Sequence, residues 1–467
     1  MDSCVEELRP APSPWDVFLH LAPLPHVVFF DSSLRSSTLG QYSFIAADPF
    51  EFISSRGTSC EKPFIRLSET LRRYSVPRNT GLPPFQGGVA GLFGYDLGHH
   101  IERLPRPRFD EFEVPDVAVG LYDWVVAFDH ISERVWLIST GLPEREGPNR
   151  RHRAETRLGE VKQLLRLPPP SFPVQLPAAA ASLAGEQYQV PRFAGLFSNF
   201  DEASYPNAVR CAIEYVHAGD CFQVNIAQRL LTRPRQSAVE LYWRLRERNQ
   251  STFGGYLDLG DFVIASSSPE RFVRLDADSR EVETRPIKGT RPRGNTSAED
   301  ECRKQELQQS AKDRAENVMI VDLLRNDLGR VCVYGSVRVA KVCGLETYPF
   351  VHHLVSEVRG KLREGLDAVE LLRAAFPGGS VTGAPKIRAM EIIAELEPHA
   401  RGAYCGSLGY IGFDGSMDTN ILIRTFTIGK GWIQFPVGGG IVADSDPERE
   451  YEETWHKAAG LLRALER

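Results

Sequence analysis

A chain of 467 residues, 42% of them apolar, can bury a large core, and its formal net charge of −6 with acids and bases interspersed leaves no basic field to draw nucleic acid or an anionic membrane. The longest apolar runs, such as Val117 to Phe128, are interrupted by Asp123 and Asp129 and fall short of the ~20 helical residues that cross a bilayer. The N-terminus, Met1-Asp-Ser-Cys-Val-Glu-Glu, has neither the basic-then-apolar order of a secretory signal nor the Arg/Ser richness of a transit peptide, so a cytoplasmic protein is expected.

Residues 1–140 read as strands and turns: Val27-Val-Phe-Phe, Tyr42-Ser-Phe-Ile, the run from Val117 to Phe128, and Val135-Trp-Leu-Ile. Over 141–190 the composition turns charged and then Pro/Ala-rich (Leu167-Pro-Pro-Pro, Pro177-Ala-Ala-Ala-Ala), which predicts a surface helix and an irregular connector. The part from 191 to 467 alternates helices and strands. Helices are predicted over Tyr205 to Ala218 (Val209, Ile213 and Val216 on one face), Ser310 to Leu328 (Val318, Val321, Leu324, Leu328), Ala368 to Ala375 and Ala384 to Leu396. A last helix opens at Asp446-Pro447, an acidic cap before an N1 proline. Strands are predicted at Phe262 to Ala265, Tyr404 to Phe413, Ile421 to Ile428 and Trp432 to Val437, which makes the class α+β with extensive sheet. The eight cysteines (Cys4, Cys60, Cys211, Cys221, Cys302, Cys332, Cys343, Cys405) form no CxxC pair and read as reduced thiols rather than a disulfide frame or a zinc site.

Four segments carry chemistry. In Thr284-Arg-Pro-Ile-Lys-Gly-Thr-Arg-Pro-Arg-Gly294 a single lysine, Lys288, stands between apolar and glycine neighbours. It is a candidate nucleophile once its amine is neutral, and Arg285 and Arg291 are candidates for the repulsion that lowers its pKa; otherwise such a lysine is solvated or faces phosphate. Glu270 follows the small residues Ser266-Ser-Ser-Pro and becomes a general acid if burial raises its pKa; the alternative is a turn carboxylate or a salt bridge to Arg271. Asp313 with Glu316, and Glu450 with Glu453, are each spaced i, i+3, so each pair shares a helix face. Brought together they make an all-oxygen site for a hard cation; apart, they are surface ion pairs with Lys312, Arg314 and Lys457. Lastly, Val437-Gly-Gly-Gly-Ile-Val442, placed after a strand, permits close approach of backbone N–H groups to a carboxylate, while no Walker A or GxGxxG pattern is present.

Together these segments resemble the chorismate-utilising enzymes, which include the large subunits of anthranilate synthase and aminodeoxychorismate synthase and the isochorismate synthases. The resemblance runs through Gly219-Asp-Cys-Phe-Gln-Val-Asn-Ile-Ala-Gln-Arg229, Ser268-Pro-Glu-Arg, Ala315-Glu-Asn-Val-Met-Ile-Val-Asp-Leu-Leu-Arg-Asn-Asp-Leu328, Val351-His-His-Leu-Val-Ser-Glu-Val358, Thr382-Gly-Ala-Pro-Lys-Ile-Arg-Ala-Met390 and Tyr404-Cys-Gly-Ser-Leu-Gly-Tyr410. Gly87-Gly-Val-Ala-Gly-Leu-Phe-Gly-Tyr-Asp96 extends it into the first part. It implies two interleaved α/β subdomains with antiparallel sheets packed face to face, an N-terminal region over 1–140, a connector over 141–190 and a chorismate-binding catalytic domain over 191–467.

By the same resemblance, Pro-Ile-Lys288-Gly-Thr is similar to the aminodeoxychorismate-forming type, since anthranilate synthases usually carry alanine in place of the lysine. That type is an amino-group transferase in which Lys288 attacks C2 of chorismate, Glu270 protonates the leaving C4 hydroxyl, and ammonia from a separate glutamine amidotransferase replaces the lysine. His353 is chosen as the family histidine over His352. Mg²⁺ would be ligated by Glu316 and Glu453, with Asp313 and Glu450 reaching it through water. Ser380, Tyr404, Arg424, Gly438, Gly440, Gln223 and Lys386 would bind substrate, Gln223 standing where isochorismate synthases place a lysine. Phe29-Phe-Asp-Ser-Ser33 corresponds to a stretch that binds tryptophan in relatives. The alternatives are anthranilate or isochorismate formation, or a non-catalytic subunit that binds chorismate or tryptophan and regulates a partner.

Overall fold

A computed structural model describes residues 3–35, 39–57, 62–174, 180–348 and 351–466; Cys60 and Pro177–Ala179 of the Pro/Ala run lie outside them. Two antiparallel sheets, one of 13 strands and one of 10, account for the architecture. Their facing sides share one apolar layer, in which Val28, Phe44, Val125 and Ile264 of the larger sheet meet Ala90, Leu92, Leu408 and Tyr410 of the smaller. Helices cover the outer faces: Pro14–Leu21, Ala238–Arg248 and Pro447–Leu465 on the larger sheet, and Pro63–Arg73 and Ala368–Ala375 on the smaller. Among the described residues no helix is long and apolar enough to cross a membrane.

The two sheets are interleaved along the chain. Strand Val28–Asp31 pairs with Gly254–Asp258 in the larger sheet, and Gly88–Phe93 pairs with Ser407–Gly412 in the smaller. The run from Val117 to Phe128, expected as one stretch, is two strands. Val117–Tyr122 belongs to the smaller sheet and Trp124–Asp129 to the larger, so the chain changes sheets at Asp123. That residue is fully buried and faces Arg153 (3.3 Å) and Arg157 (3.5 Å) of the helix Gly147–Leu164.

The predicted helices are present as Ser204–His217, Ala311–Gly329, Ala368–Ala375, Lys386–Leu396 and Pro447–Leu465. Their starts follow the cap chemistry: Ser310 accepts from the Asp313 N–H, Asp446 from the Arg449 N–H, and Asp367 with Glu370 forms a capping box. In Ala311–Gly329 the buried stripe is Asn317, Ile320, Val321, Leu324 and Leu328; Val318, predicted to belong to it, is 50% exposed, and Asn317 one position before it is buried instead. Two predicted strands are shorter. Cys405 and Arg424 take left-handed backbone (φ 65° and 52°), and the strands begin only at Ser407 and Thr425. One is longer: Trp432 to Val437 continues through the glycines to Ile441. At Gly438 a Cβ would stand 2.3 Å from the Ile226 carbonyl, so the glycines serve close strand approach there rather than a loop after the strand.

Candidate active site

Lys288 lies in strand Ile287–Pro292, which pairs with Val351–Lys361 in a register that places Lys288 opposite Leu354 and Thr290 opposite His353. The register slips at Gly289, whose φ of 81° is left-handed; a Cβ there would meet Asp313 and Leu307 at 3.0 Å. The bulge therefore seats Lys288 beside the first turns of helix Ala311–Gly329, which carry Asp313 and Glu316. Burial drives the Lys288 pKa below the usual lysine range; the Lys457 ammonium pushes the same way, and the carboxylates of Glu316, Glu270 and Glu453 oppose it. Arg285 and Arg291 do not supply the expected repulsion, because each is neutralised. Arg285 pairs with Glu357 and Glu346, and Arg291 lies 2.7 Å from Glu306 and 3.1 Å from Asp313.

Glu270 sits between strands Phe262–Ser266 and Arg271–Leu275, is 4% exposed, and accepts a 2.6 Å hydrogen bond from Ser380 Oγ. Burial pushes it up to about 7, while the Ser380 bond and the Lys288 charge pull it down. Arg271 is not its partner; that guanidinium pairs with Asp418 (2.9 Å) and Glu283 (2.6 Å).

Strand alternation turns the two histidines to opposite sides. His352 is held by Asp300 (2.8 Å) and Thr347 (3.0 Å), whereas His353 contacts Thr290 Oγ1 at 2.8 Å and lies against the Gly289 backbone next to Lys288. Burial and the Arg424 cation push the His353 pKa down to about 3, which keeps the ring neutral. Arg424 itself is lowered by burial alone, and among the described residues no carboxylate pairs with it. A partly desolvated guanidinium with no counter-charge is suited to receive an anion.

Gln223 opens strand Gln223–Thr232, which pairs with the glycine strand so that Asn225 stands opposite Gly440 and Ala227 opposite Gly438. The Gln223 amide is fully buried and, among the described residues, neither of its polar atoms has a hydrogen-bond partner, while a Cβ at Gly440 would stand 2.3 Å from its Nε2. Tyr404 is 5% exposed and lies under the Arg401 guanidinium, 5.6 Å from the ring centroid.

The acidic pairs face one another from two helices. Glu316 is raised first by burial and then by Asp313 and Glu450, with Lys288 and Lys312 opposing. A Cβ on Gly439 would stand 3.1 Å from Glu450 Oε2, 3.6 Å from Glu453 Oε1 and 3.6 Å from Lys457 Nζ, so these groups converge over the glycine strand. Lys312 lies 3.3 Å from Glu450, and Lys457 lies 2.7 Å from Glu453 and donates to the Gly438 carbonyl at 2.8 Å. The side chains of Glu453, Lys457 and Lys312 keep 49%, 41% and 48% of their surface, so the cluster opens to solvent and a hydrated ion can reach it. Asp313 is engaged by Arg291, and among the described residues no three His, Cys, Asp or Glu stand in a metal-holding group. The donor set is nonetheless all oxygen, and its crowded carboxylates suit a hard divalent cation such as Mg²⁺.

Lys386 and the stretch Phe29–Ser33 have partners of their own. Lys386 is largely but not fully covered and donates to Asp327 and to the Ala375 carbonyl, both at 2.7 Å, so it braces helix Ala311–Gly329 against the end of Ala368–Ala375. In the stretch Phe29–Ser33, Asp31 pairs with Arg246 (2.7 Å), Ser33 and Ser251 exchange hydrogen bonds (3.3 and 3.0 Å), and the Phe30 ring packs on Phe85 and Tyr410. Sequence reasoning passed over Glu397 and Arg401 and gave Lys457 only a surface ion pair. The i, i+4 spacing of Lys457 from Glu453 was legible, but its contact with Gly438 depends on the fold.

The sequence matches the chorismate binding enzyme family over residues 30–463. It is 45% identical over 466 residues to aminodeoxychorismate synthase component 1 of Salmonella typhimurium, covering 97% of this chain and 93% of that protein. It is 40% identical over 464 residues to anthranilate synthase component 1 of Thermus thermophilus, covering 97% and 95%. Among solved structures it resembles anthranilate synthase component I from Streptococcus pneumoniae, with a TM-score of 0.77, 30% identity, and 92% and 93% of the two chains covered.

Proposed function

The chain belongs to the chorismate binding enzyme family, and from that premise we propose that it aminates chorismate at C4 to give 4-amino-4-deoxychorismate, the precursor of p-aminobenzoate and folate. The observation that carries this reading is the Lys288–Glu270 pair. Burial shifts the Lys288 amine toward its neutral, nucleophilic form and lifts Glu270 to about 7, and each group feels the other's charge, so a lysine moved toward attack stands near a carboxyl that holds its proton close to neutrality.

Lys288 Nζ attacks C2 of the ring, and the C4–O bond breaks as Glu270 delivers its proton, so the hydroxyl leaves as water. Ammonia then adds at C4, the C2–N bond to Lys288 breaks, and the Glu270 carboxylate takes the proton that the new amine sheds. The enolpyruvyl group is retained. Arg424 and the edge of the glycine strand at Gly438 and Gly440 bind a substrate carboxylate, because a guanidinium and backbone N–H groups present fixed donors to a planar anion. His353, kept neutral, and Tyr404 border the ring, and Ser380 orients Glu270. Glu316 and Glu453, with Asp313 and Glu450 through water, would hold Mg²⁺, which when bound supplies a fixed positive charge for the ring carboxylate.

Ammonia comes from a separate glutamine amidotransferase in this reading. A glutaminase nucleophile must be a thiolate, whereas burial holds the Cys405 thiol at about 12. Lysine at position 288 favours amination with pyruvate retained over anthranilate formation.

The test incubates the purified chain with chorismate, Mg²⁺ and ammonium at mildly alkaline pH, with Lys288→Ala in parallel, and identifies products by mass spectrometry. Aminodeoxychorismate from the wild type and none from the variant is the expected result. Anthranilate or isochorismate instead would overturn the proposed chemistry.

A further inference from the structure

We infer that the buried Glu397–Arg401 pair is a positioning device that fixes Ser380, Tyr404 and the Gln223 strand relative to one another. The inference rests on the reading of this site as the place where chorismate reacts. Glu397 ends helix Lys386–Leu396 and is 4% exposed; Arg401 is 5% exposed. The guanidinium grips the Glu397 carboxylate through Nε (2.8 Å) and Nη2 (2.6 Å). Its remaining donors reach two segments that carry site residues. Nη1 donates at 3.0 Å to the carbonyl of Val381, which follows Ser380, and Nη2 at 2.7 Å to the carbonyl of Asn225, two residues after Gln223.

The guanidinium carbon lies over two rings, 5.6 Å from the Tyr404 ring centroid and 4.9 Å from that of Tyr95. Glu397 completes the frame by accepting the Ala227 N–H at 2.8 Å, on the strand paired with the glycines. One side-chain pair thus ties together the Gln223 strand and the segment that follows Ser380, which also pair directly through their backbones, and holds both against the Tyr404 turn.

Stability alone is a weak reason for such a pair, since apolar residues of similar volume often replace buried ion pairs at no cost. What apolar residues cannot supply is a planar set of donors aimed at two carbonyls while stacked on a ring. Arg401 reaches Glu270 only through Ser380, and substrate only through Tyr404 and the strand, so it positions and does not react.

The experiment compares wild type, Arg401→Lys, Ser380→Ala, the double variant and Glu397→Gln, each first shown by circular dichroism and thermal melting to be folded. Chorismate binding is read by titration calorimetry and turnover by product formation with ammonium and Mg²⁺ across pH. Arg401→Lys is expected to weaken binding and raise KM roughly 10- to 100-fold, the scale of an ångström's misplacement. Its alkaline activity limb should move to higher pH, because Ser380 no longer steadies the Glu270 carboxylate, and adding Ser380→Ala should change little further. Glu397→Gln should show the same pattern more weakly, and it serves as the test where Arg401→Lys does not fold.

A folded Arg401→Lys, or a Glu397→Gln where the lysine variant fails to fold, that binds and titrates as wild type overturns the inference. So do effects of Arg401→Lys and Ser380→Ala that simply add. Wild type that binds chorismate but makes no aminated product overturns the proposed chemistry alone, since the binding comparison still decides the positioning role. Wild type that does not bind chorismate overturns both.

Discussion

Ser380 Oγ donates a 2.6 Å hydrogen bond to the Glu270 carboxylate, and this bond pulls the acid down while burial pushes it up to about 7. Ser380→Ala removes the downward pull, so the group stays protonated to higher pH. The expected outcome is an alkaline limb of kcat displaced upward, measured at a constant concentration of unprotonated ammonia. A limb that stays in place would remove Ser380 from the acid's environment.

Glu270 also makes stability depend on pH. Its folded pKa of about 7 exceeds the ordinary glutamate value of 4.5, so the contribution is present in full below the lower value and is lost as pH rises through the higher one. Glu270→Gln stays neutral and should be more stable than wild type at pH 8, by up to about 3 kcal/mol, with the difference shrinking to about 1 kcal/mol near pH 5 and vanishing only below about pH 4. Denaturant titrations at the two pH values check this.

Removing the Lys288 amine should lower kcat by roughly 10³-fold or more, since the nucleophile is lost outright. With chorismate and no ammonia, wild type should accumulate an adduct on the peptide containing Lys288, and Lys288→Ala should not. Peptide mass spectrometry after acid quench decides it, and an adduct elsewhere would unseat Lys288.

Arg424 is a partly buried cation with which no carboxylate among the described residues pairs. Arg424→Gln should leave the melting temperature unchanged or raise it slightly, because a partly desolvated charge without a counter-charge is removed. It should weaken chorismate binding roughly 10- to 100-fold, the scale of charge-assisted hydrogen bonds. Thermal melts paired with titration calorimetry test both halves; a variant that loses stability as well as affinity would mean that Arg424 has a structural partner.

Divalent-cation binding can be followed directly with Mn²⁺ by electron paramagnetic resonance. Glu316→Gln and Glu453→Gln should each weaken it by more than about tenfold. Lys312→Met, which removes the ammonium 3.3 Å from Glu450, should tighten it. Wild-type affinity in all three variants would place the cation elsewhere.

The long helices were legible because caps and apolar spacing agree, as at Ser310 and at Asp446-Pro447. The change of sheet at Asp123 was not: both flanking strands are buried on both faces, so nothing alternates to mark them. The glycine strand was cut short because Gly438 to Gly440 carry no β-forming side chains, although they pair fully with Gln223–Thr232. In the site, the motifs located Lys288, Glu270 and the acidic pairs, but motif membership alone could not separate Ser380, which reaches Glu270, from Lys386, which reaches Asp327. Glu397 and Arg401 escaped notice because an acid and a base four residues apart at a helix end look like a surface pair; only the tertiary fold buries them.

The interleaving of the sheets bears on how the protein is made. Strand Gly254–Asp258 depends on Val28–Asp31 for one neighbour, and Ser407–Gly412 depends on Gly88–Phe93. During synthesis the N-terminal strands therefore leave the ribosome hundreds of residues before the partners that cover their edges, a high-contact-order assembly that closes late and leaves sticky edges open meanwhile. A fragment beginning at residue 191 would carry every proposed catalytic side chain yet present those edges bare, and it should aggregate when expressed alone while co-expression with residues 1–190 restores solubility.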